Sequence, residues 1–356
     1  MRLLITGGAG FIGTNLVRLL LATKEAEAIE AIVIVDALTY AGSSINLQGV
    51  HQDTRVIFIH AEIQNGPLIG SILFEHKIAS VIHLAAETHV DRSIDSPRRF
   101  VDTNIVGTFE LLEAYLRCLK NRPAPGRRVF VHVSTDEVFG SLGENDMPFR
   151  ETTNYSPSSP YSASKAASDH LVAAYKTTFG LPVITTHCGN NFGPFQFPEK
   201  LIPLMIQKTL ADQPLPIYGD GSNRRDWIHV NDHCRALILL LMKGIIGSSY
   251  VIGSRCEISN REVAQLTLQA VHKAQLSLEV EPSKSAIIYV SDRPGHDARY
   301  AIDPTKIEGE FGWKPLETFE GGLEKTVWWY LENAEWSRKI AAKIYQGQRL
   351  GMPESR

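Results

Sequence analysis

An apolar run, Arg2-Leu3-Leu4-Ile5-Thr6, leads into Gly7-Gly8-Ala9-Gly10-Phe11-Ile12-Gly13, and helical apolar spacing follows from Thr14 to Thr23. No other stretch limits the possible fold so tightly. Strand, glycine turn and helix in that order open a dinucleotide-binding βαβ unit. Gly7, Gly10 and Gly13 permit a tight turn and close approach of a pyrophosphate. The helix start at Phe11 and Ile12 then presents unpaired N–H groups and a positive dipole end to the phosphates. The next apolar run, Ala31 to Val35, ends at Asp36. That is where such units place a carboxylate for the ribose 2′-OH. A carboxylate there repels a 2′-phosphate, so the expected cofactor is NAD and not NADP.

Further apolar runs at Val56–His60, Ala79–Leu84, Val129–Val133 and Pro182–His187 read as buried strands. Helical segments between them imply a parallel, doubly wound α/β sheet with right-handed crossovers. Ala61-Glu62-Ile63 after the third strand is expected near the adenine. Ala85 and Ala86 after the fourth are small enough for a cofactor to come close. His89 beyond them is a candidate base or a positioning group. Residues 97–119 read as one long helix with Thr103, Asn104 and Gly107 near its start.

The fifth strand runs into Ser134-Thr135-Asp136-Glu137, so hydroxyls and carboxylates gather at a strand's C-terminal end, where open α/β sheets bind ligands. A helix over 159–180 carries Tyr161 and Lys165 four residues apart, hence on one face. A lysine beside a phenol favours the phenolate and so suits a tyrosine base.

From residue 190 the regular alternation fades into turn-rich pieces, including Phe197-Pro198-Glu199-Lys200, Tyr218-Gly219-Asp220-Gly221-Ser222 and Arg224-Arg225-Asp226-Trp227. The expected organisation is a cofactor domain over 1–189 with return segments near 230–250, a smaller mixed α/β substrate lobe over 190–332, and a C-terminal helix and tail over 333–356. The lobe's arginines suit an anionic substrate, the alternative being surface salt bridges.

A net charge of −3, with charges scattered, gives no nucleic-acid or polybasic membrane surface. Cys118, Cys188, Cys234 and Cys256 include no CxxC pair, so neither a disulfide framework nor a zinc site is expected. The most apolar stretch, 236–242, is too short to span a membrane. No leader pattern precedes the first strand, and the expected location is cytoplasmic.

Gly7-x-x-Gly10-x-x-Gly13 together with Tyr161-x-x-x-Lys165 resembles the extended short-chain dehydrogenase/reductase superfamily. Within it, the chain closely resembles the dTDP-glucose 4,6-dehydratases over residues 2 to about 332. The resemblance is carried by Leu38-Thr39-Tyr40-Ala41-Gly42, by the run from His83 to Ser93, by Ser134-Thr135-Asp136-Glu137-Val138 and by Ser156 to Lys165. It continues through Asn190-Asn191-Phe192-Gly193-Pro194, Phe197 to Pro203, Tyr218 to Asn223, Arg225-Asp226-Trp227 and Asp292 to Asp297. The adjacent Asp136-Glu137 pair is its family-specific part. Phe139, Phe192, Glu62 and residues 251–258 depart from the family's usual residues.

The resemblance implies a redox-neutral dehydration of dTDP-glucose on tightly bound NAD⁺. C4 is oxidised, water leaves across C5 and C6, and hydride returns to C6. Tyr161 would take the C4 hydroxyl proton with Lys165 beside it, Thr135 would bond the 4-OH, Glu137 would remove the C5 proton, and Asp136 would protonate the departing hydroxyl. Gly7, Gly10, Phe11, Ile12, Gly13, Asp36, Leu38, Thr39, Glu62, Ile63, Ala85, Ala86, Thr103, Tyr161, Lys165 and Asn190 would hold the cofactor. The nucleotide sugar would meet His89, Asn190, Glu199, Lys200, Leu201, Pro216, Tyr218, Arg225, Asn260, Arg293, His296 and Tyr300 besides the catalytic group. Arg225 and Arg293 would take the diphosphate. The family also implies a homodimer through the helices around 98–118 and 160–178. The alternatives are a 4,6-dehydratase of another nucleotide sugar or a UDP-sugar 4-epimerase.

Overall fold

The computed structural model describes residues 1–121 and 126–344. The first six strands are β1 (Arg2–Thr6), β2 (Ala31–Asp36), β3 (Val56–His60), β4 (Ser80–His83), β5 (Phe130–Thr135) and β6 (Val183–Cys188). They are followed by β7 (Asn190–Phe192), β8 (Leu215–Tyr218), β9 (Arg224–His229), β10 (Ser249–Ile252), β11 (Glu257–Ser259) and β12 (Ile287–Val290). Seven of them form one sheet in the order β10-β6-β5-β4-β1-β2-β3, every pair parallel. The order reverses between β1 and β4, so the crevice for a ligand lies at the C-terminal ends of those strands.

Both faces of the inner strands are buried, as their largely apolar runs require. Leu3, Ile5, Ile32, Ile34, Val131 and Val133 point into one core, with Leu16 and Leu20 of α1 (Phe11–Ala22). Leu4, Val33, Val35 and Phe130 point into the other, with Ile69 and Leu73 of α2 (Gly66–Glu75). This alternation is the period of two of a pleated strand. β2 reaches β3 through two 3₁₀ turns, Ser44–Leu47 and Val50–Gln52, with no α-helix between them.

The long helix expected over 97–119 is interrupted. After α3 (Val90–Asp95) and α4 (Pro97–Phe100) the backbone winds as a π-helix over Val101–Gly107 before α5 (Thr108–Asn121). The wider turn has local partners. The Asn104 amide donates to the Glu87 carbonyl (3.0 Å) and to Ser164 Oγ (2.9 Å), and its Oδ1 accepts from the Glu87 N–H (2.9 Å). A Cβ on Gly107 would stand 2.7 Å from the Ile63 side chain, so close packing fixes the end of the wide turn. π turns of this kind concentrate at functional sites.

The helix expected over 159–180 is α6 (Pro160–Phe179). Ser159 caps it in a reciprocal box with Ser162, and Gly180 ends it in the left-handed region. Residues 224–227, expected as a turn-rich piece, lie in β9, the middle strand of a three-stranded sheet, β11-β9-β7. With Arg224, Arg225, Asp226 and His229 among its six residues, β9 is too polar to show an apolar alternation. α7 (Leu201–Leu210) follows in the second lobe. α8 (Val230–Lys243) returns to the first core through Cys234, Leu237 and Leu241, and β10 adds itself beside β6. α9 (Asn260–Ser277) packs in the second lobe, and α10 (Thr305–Phe311) follows it. α11 (Phe319–Glu332) and α12 (Ala334–Ile344) close the second-lobe core through Phe319, Tyr330, Trp336 and Ile340. The tail expected beyond residue 349 lies outside the described residues.

Candidate active site

A cavity of about 760 Å³ opens at the switch point of the sheet. Gly7, Gly10, Phe11, Ile12, Gly13, Asp36 and Thr39 form one end, and Glu62, Ile63, Ala85, Ala86 and Thr103 stand beside them. Thr135, Asp136, Glu137, Tyr161, Lys165, Asn190, Glu199 and Lys200 form the other end. Residues expected on sequence grounds at two different sites therefore share one crevice.

The glycine turn is built for an anion. Gly7 has φ +71, and a Cβ there would meet the Ala85 backbone at 2.7 Å. A Cβ on Gly13 would lie 2.3 Å from the Gly7 carbonyl oxygen. Gly10 caps α1 without a side chain, so the first-turn N–H groups have no side-chain acceptor. Asp36 is buried, and its oxygens accept from the Ala9 N–H (2.9 Å) and the Leu38 N–H (2.8 Å). Burial raises its carboxyl, while these two N–H groups pull it back. Asp36 also lines the crevice. These features fit a dinucleotide, with its pyrophosphate on the helix start and a ribose at Asp36. Leu38 stands outside the crevice wall, packs on the first core and adopts φ +49.

At the other end Thr135 closes β5. Its hydroxyl donates to Asp136 Oδ1 (3.3 Å) and accepts from the Glu137 N–H (3.3 Å). Asp136 is 2% exposed, and its Oδ2 is buried without a partner. Burial pushes its carboxyl well above the ordinary range, and the charges of Glu137 and Asp226 push it further. Glu137 is also raised by burial, but Arg293, Arg225 and Lys200 oppose that rise. Both carboxyls are raised, and Glu137 has the more cationic surroundings of the two.

Tyr161 departs from expectation. Its phenol is pushed well above its usual value, first by burial and then by Glu137, with Thr135 acting the other way. Lys165 Nζ donates to the Val133 carbonyl (2.9 Å), and burial lowers its pKa while Asp169 opposes the fall. The lysine is thus tied to β5 by its ammonium, one turn along α6 from the phenol.

The arginines of the second lobe divide. Arg224 and Arg299 both pair with Glu257, and Arg255 pairs with Asp303 and Glu308, all as surface bridges. Arg225 is buried, its guanidinium 4.2 Å from the centre of the Tyr300 ring, and it donates to the Asp297 carbonyl (2.8 Å). Tyr300 donates in turn to the Asp297 carboxylate. His296 Nδ1 lies 2.7 Å from Asp292. Tyr218 and Arg293 both bond Asp91.

Some expected ligands stand elsewhere. His89 caps α3 through Nδ1, accepting from the Arg92 N–H, and its Nε2 lies 3.7 Å from Glu199. Burial, with Lys200 and Arg92 nearby, drives its pKa down to about 2, so it is neutral and a poor base. Leu201 opens α7 and packs into the second-lobe cores. Pro216 lies within β8, opposite Ile288, and Asn260 starts α9, its N–H on the Asn223 carbonyl (2.9 Å).

Sequence reasoning missed the buried layer under the site. Asp169, one turn after Lys165, accepts at Oδ1 from His132 Nε2 (2.9 Å). Its Oδ2 accepts from Ser134 Oγ (2.8 Å), Tyr155 OH (3.1 Å) and His187 Nε2 (3.2 Å). The available signal was two polar residues, His132 and Ser134, on alternate positions of an otherwise apolar strand. Tyr40, Glu87, Arg92, Arg99 and Asp102 also line the crevice, and Tyr40 OH donates to Glu199 (2.9 Å).

The GDP-mannose 4,6 dehydratase family matches residues 4–326. A dTDP-glucose 4,6-dehydratase of Xanthomonas campestris pv. campestris (strain B100) is 49% identical over 353 residues, 98% of each chain. The dTDP-glucose 4,6-dehydratase 1 of Escherichia coli (strain K12) is 48% identical over 97% of each. Among solved structures, the dTDP-glucose 4,6-dehydratase of Streptomyces venezuelae with NAD and dTDP bound has a TM-score of 0.86 at 43% identity, over 96% of this chain and 100% of that one. A UDP-glucose 4-epimerase of Thermus thermophilus complexed with NAD has a TM-score of 0.80 at 28% identity, covering 93% and 99%.

Proposed function

The chain belongs to the GDP-mannose 4,6 dehydratase family and, within it, to the dTDP-glucose 4,6-dehydratases, and from that premise we propose that it converts dTDP-glucose to dTDP-4-keto-6-deoxyglucose and water. The observation that carries this reading is the Asp136–Glu137 pair at the end of β5, one buried and one half-buried carboxyl in unlike electrostatic surroundings. A 4-epimerase removes no water and has no use for such a pair.

The cofactor is NAD, held by the glycine turn, the start of α1 and Asp36, and when bound it supplies a reversible store for one hydride. Tyr161 takes the C4 hydroxyl proton while Thr135 bonds that oxygen. The 4-ketone acidifies C5. Glu137, which Arg293, Arg225 and Lys200 favour in its ionised form, takes the C5 proton. Asp136, which burial and Glu137 keep protonated, gives its proton to the C6 hydroxyl as it leaves. The two carboxyls titrate as a pair, so both roles belong to one coupled unit. Arg225 and Arg293 grip the diphosphate, and Lys200, Glu199, Asn190, Tyr218, His296 and Tyr300 surround the nucleotide sugar. Residues 1–189 with the return near 230–250 serve the cofactor, and 190–332 serve mainly the substrate.

The protein acts as a homodimer in this reading. Val101, Val106, Phe109 and Phe179, each about two-fifths or more exposed, mark the helix face that a partner would cover. None of the described helices is long and apolar enough to cross a membrane. A cytoplasmic location is supported by the four cysteines, which are widely spaced in sequence and three of which are buried.

Incubation of the purified protein with dTDP-glucose in deuterated water tests the reading. The expected product is lighter by one water and carries deuterium at C5. A product of unchanged mass and inverted C4 would make the protein an epimerase. Turnover of UDP- or GDP-glucose alone would move the substrate assignment and leave the chemistry standing.

A further inference from the structure

We propose that Asp91 is a positioning residue of the nucleotide-sugar diphosphate site, holding Tyr218 and Arg293 of the second lobe against the crevice wall of the first. The inference rests on the nucleotide-sugar reading above. Asp91 lies in the first turn of α3, just beyond the wall formed by Ala85, Ala86, Glu87 and Thr88. Its two oxygens are divided between two partners. Oδ2 accepts from Tyr218 OH (3.1 Å), and Oδ1 accepts from Arg293 Nη1 (3.3 Å).

Those partners come from separate segments, some 75 residues apart, that the fold brings side by side. β8 and β12 pair in parallel, with Tyr218 opposite Val290, so Tyr218 and the loop that holds Arg293 leave the same end of a small sheet. One carboxylate from the opposite lobe meets both. The Asp91 side chain is 9% exposed, and Arg293 still has a buried Nε without a partner. A carboxylate beside an arginine meant for a diphosphate is unfavourable on charge alone, because it repels the ligand. Its compensation is orientation, since Asp91 holds Nη1 of Arg293 before any ligand binds.

The test uses the NAD-loaded enzyme with Asp91→Asn and Asp91→Ala, measuring dTDP binding by calorimetry, KM and kcat for dTDP-glucose, and thermal unfolding. Asp91→Ala should weaken dTDP binding by about tenfold or more, and Asp91→Asn, which keeps an acceptor for Tyr218, by less. KM should rise in the same ratio, with kcat falling by less than about threefold, because ground state and transition state lose the same contact. Should Asp91→Ala fail to fold, the isosteric Asp91→Asn carries the test alone. Wild-type dTDP affinity in Asp91→Ala would overturn the proposal. So would tighter binding in Asp91→Asn, which would mean that Asp91 only repels the ligand. Wild-type protein that binds UDP and not dTDP would correct the base assignment alone, and the same comparison would then be read with UDP. Wild-type protein that binds neither would remove the nucleotide-sugar reading and this inference together.

Discussion

Lys165 donates its ammonium proton to the Val133 carbonyl at 2.9 Å, so the helix bearing Tyr161 is pinned to the strand that ends in Thr135. A fully buried ammonium with one carbonyl acceptor needs a counter-charge. Asp169, one turn further along α6, provides it, and its own four donors come from β5, β6 and the Tyr155 loop. Burial raises Asp169, but His132 and His187 more than offset that and hold it far below the usual carboxylate range. Asp169→Asn removes the charge and leaves the shape. The expected result is a loss of about 3–5 kcal/mol in urea unfolding, the range for breaking a buried pair by one partner. An unchanged midpoint and slope would show that Lys165 is compensated elsewhere.

His132 gives a pH signature to the same layer. Burial, followed by the Lys165 charge, lowers its pKa from 6.5 to about 4 although Asp169 acts the other way. The folded protein thus keeps this histidine neutral where the unfolded chain binds a proton. Stability contributed here is complete above pH 6.5 and falls as the pH drops from there to about 4. The full loss is on the order of 3 kcal/mol. Unfolding at pH 7, 5.5 and 4.5 in wild type and His132→Gln should show a shallower decline in the variant, whose amide keeps a donor for Asp169 and does not titrate. Parallel curves would assign the decline to the other buried histidines.

Glu137→Gln should act on both halves of the reaction. Loss of the base should slow C5 exchange in deuterated water by roughly 10²–10⁴-fold. Glu137 is also the largest charge raising the Tyr161 phenol. Its removal should lower that pKa and shift the pH profile of C4 oxidation toward acid, read as transient NADH absorbance in single turnover. Burial remains the larger cause, so the shift should be partial. Exchange at the wild-type rate would remove Glu137 from the role of base.

Phe109→Glu places a charge on the exposed face of α5, near Val106 and Phe179. Sedimentation of wild type at twice the chain mass, with the variant at the chain mass, is the expected result. Identical mass in both would leave that face without a partner.

The sheet was legible because strands buried on both faces read as unbroken apolar runs, and β1 to β6 all begin or end within a few residues of those runs. The crevice was legible where a motif is local: the glycine turn, Thr135-Asp136-Glu137, and Tyr161 with Lys165 four residues on. What escaped depends on chain segments far apart in sequence. Asp91 meets Tyr218 and Arg293 across 127 and 202 residues, and no periodicity records that. The π turn at Val101–Gly107 escaped for another reason. Its residues, Val, Asp, Thr, Asn, Ile and Gly, are weak helix formers that carry no signal for a π turn, and the Asn104 bonds to Glu87 and Ser164, with the Gly107 contact on Ile63, account for the wide winding.

Gly13 gives the sharpest test of the cofactor end. Its φ is ordinary, so strain at the residue itself would not oppose alanine. Space does, because a Cβ would lie 2.3 Å from the Gly7 carbonyl oxygen and 2.6 Å from Gly8 Cα, and both are backbone atoms that no rotamer change can move. The turn must open or α1 must lift, and either displaces the N–H groups proposed for the pyrophosphate. Overpacking of this kind costs about 1–3 kcal/mol. Gly13→Ala should therefore be purified with less NAD than wild type, measured as nucleotide released on denaturation after extensive dialysis. Added NAD should raise the thermal midpoint of wild type more than that of the variant, as ligand linkage requires. Equal NAD content and equal shifts would mean that the turn does not grip the pyrophosphate.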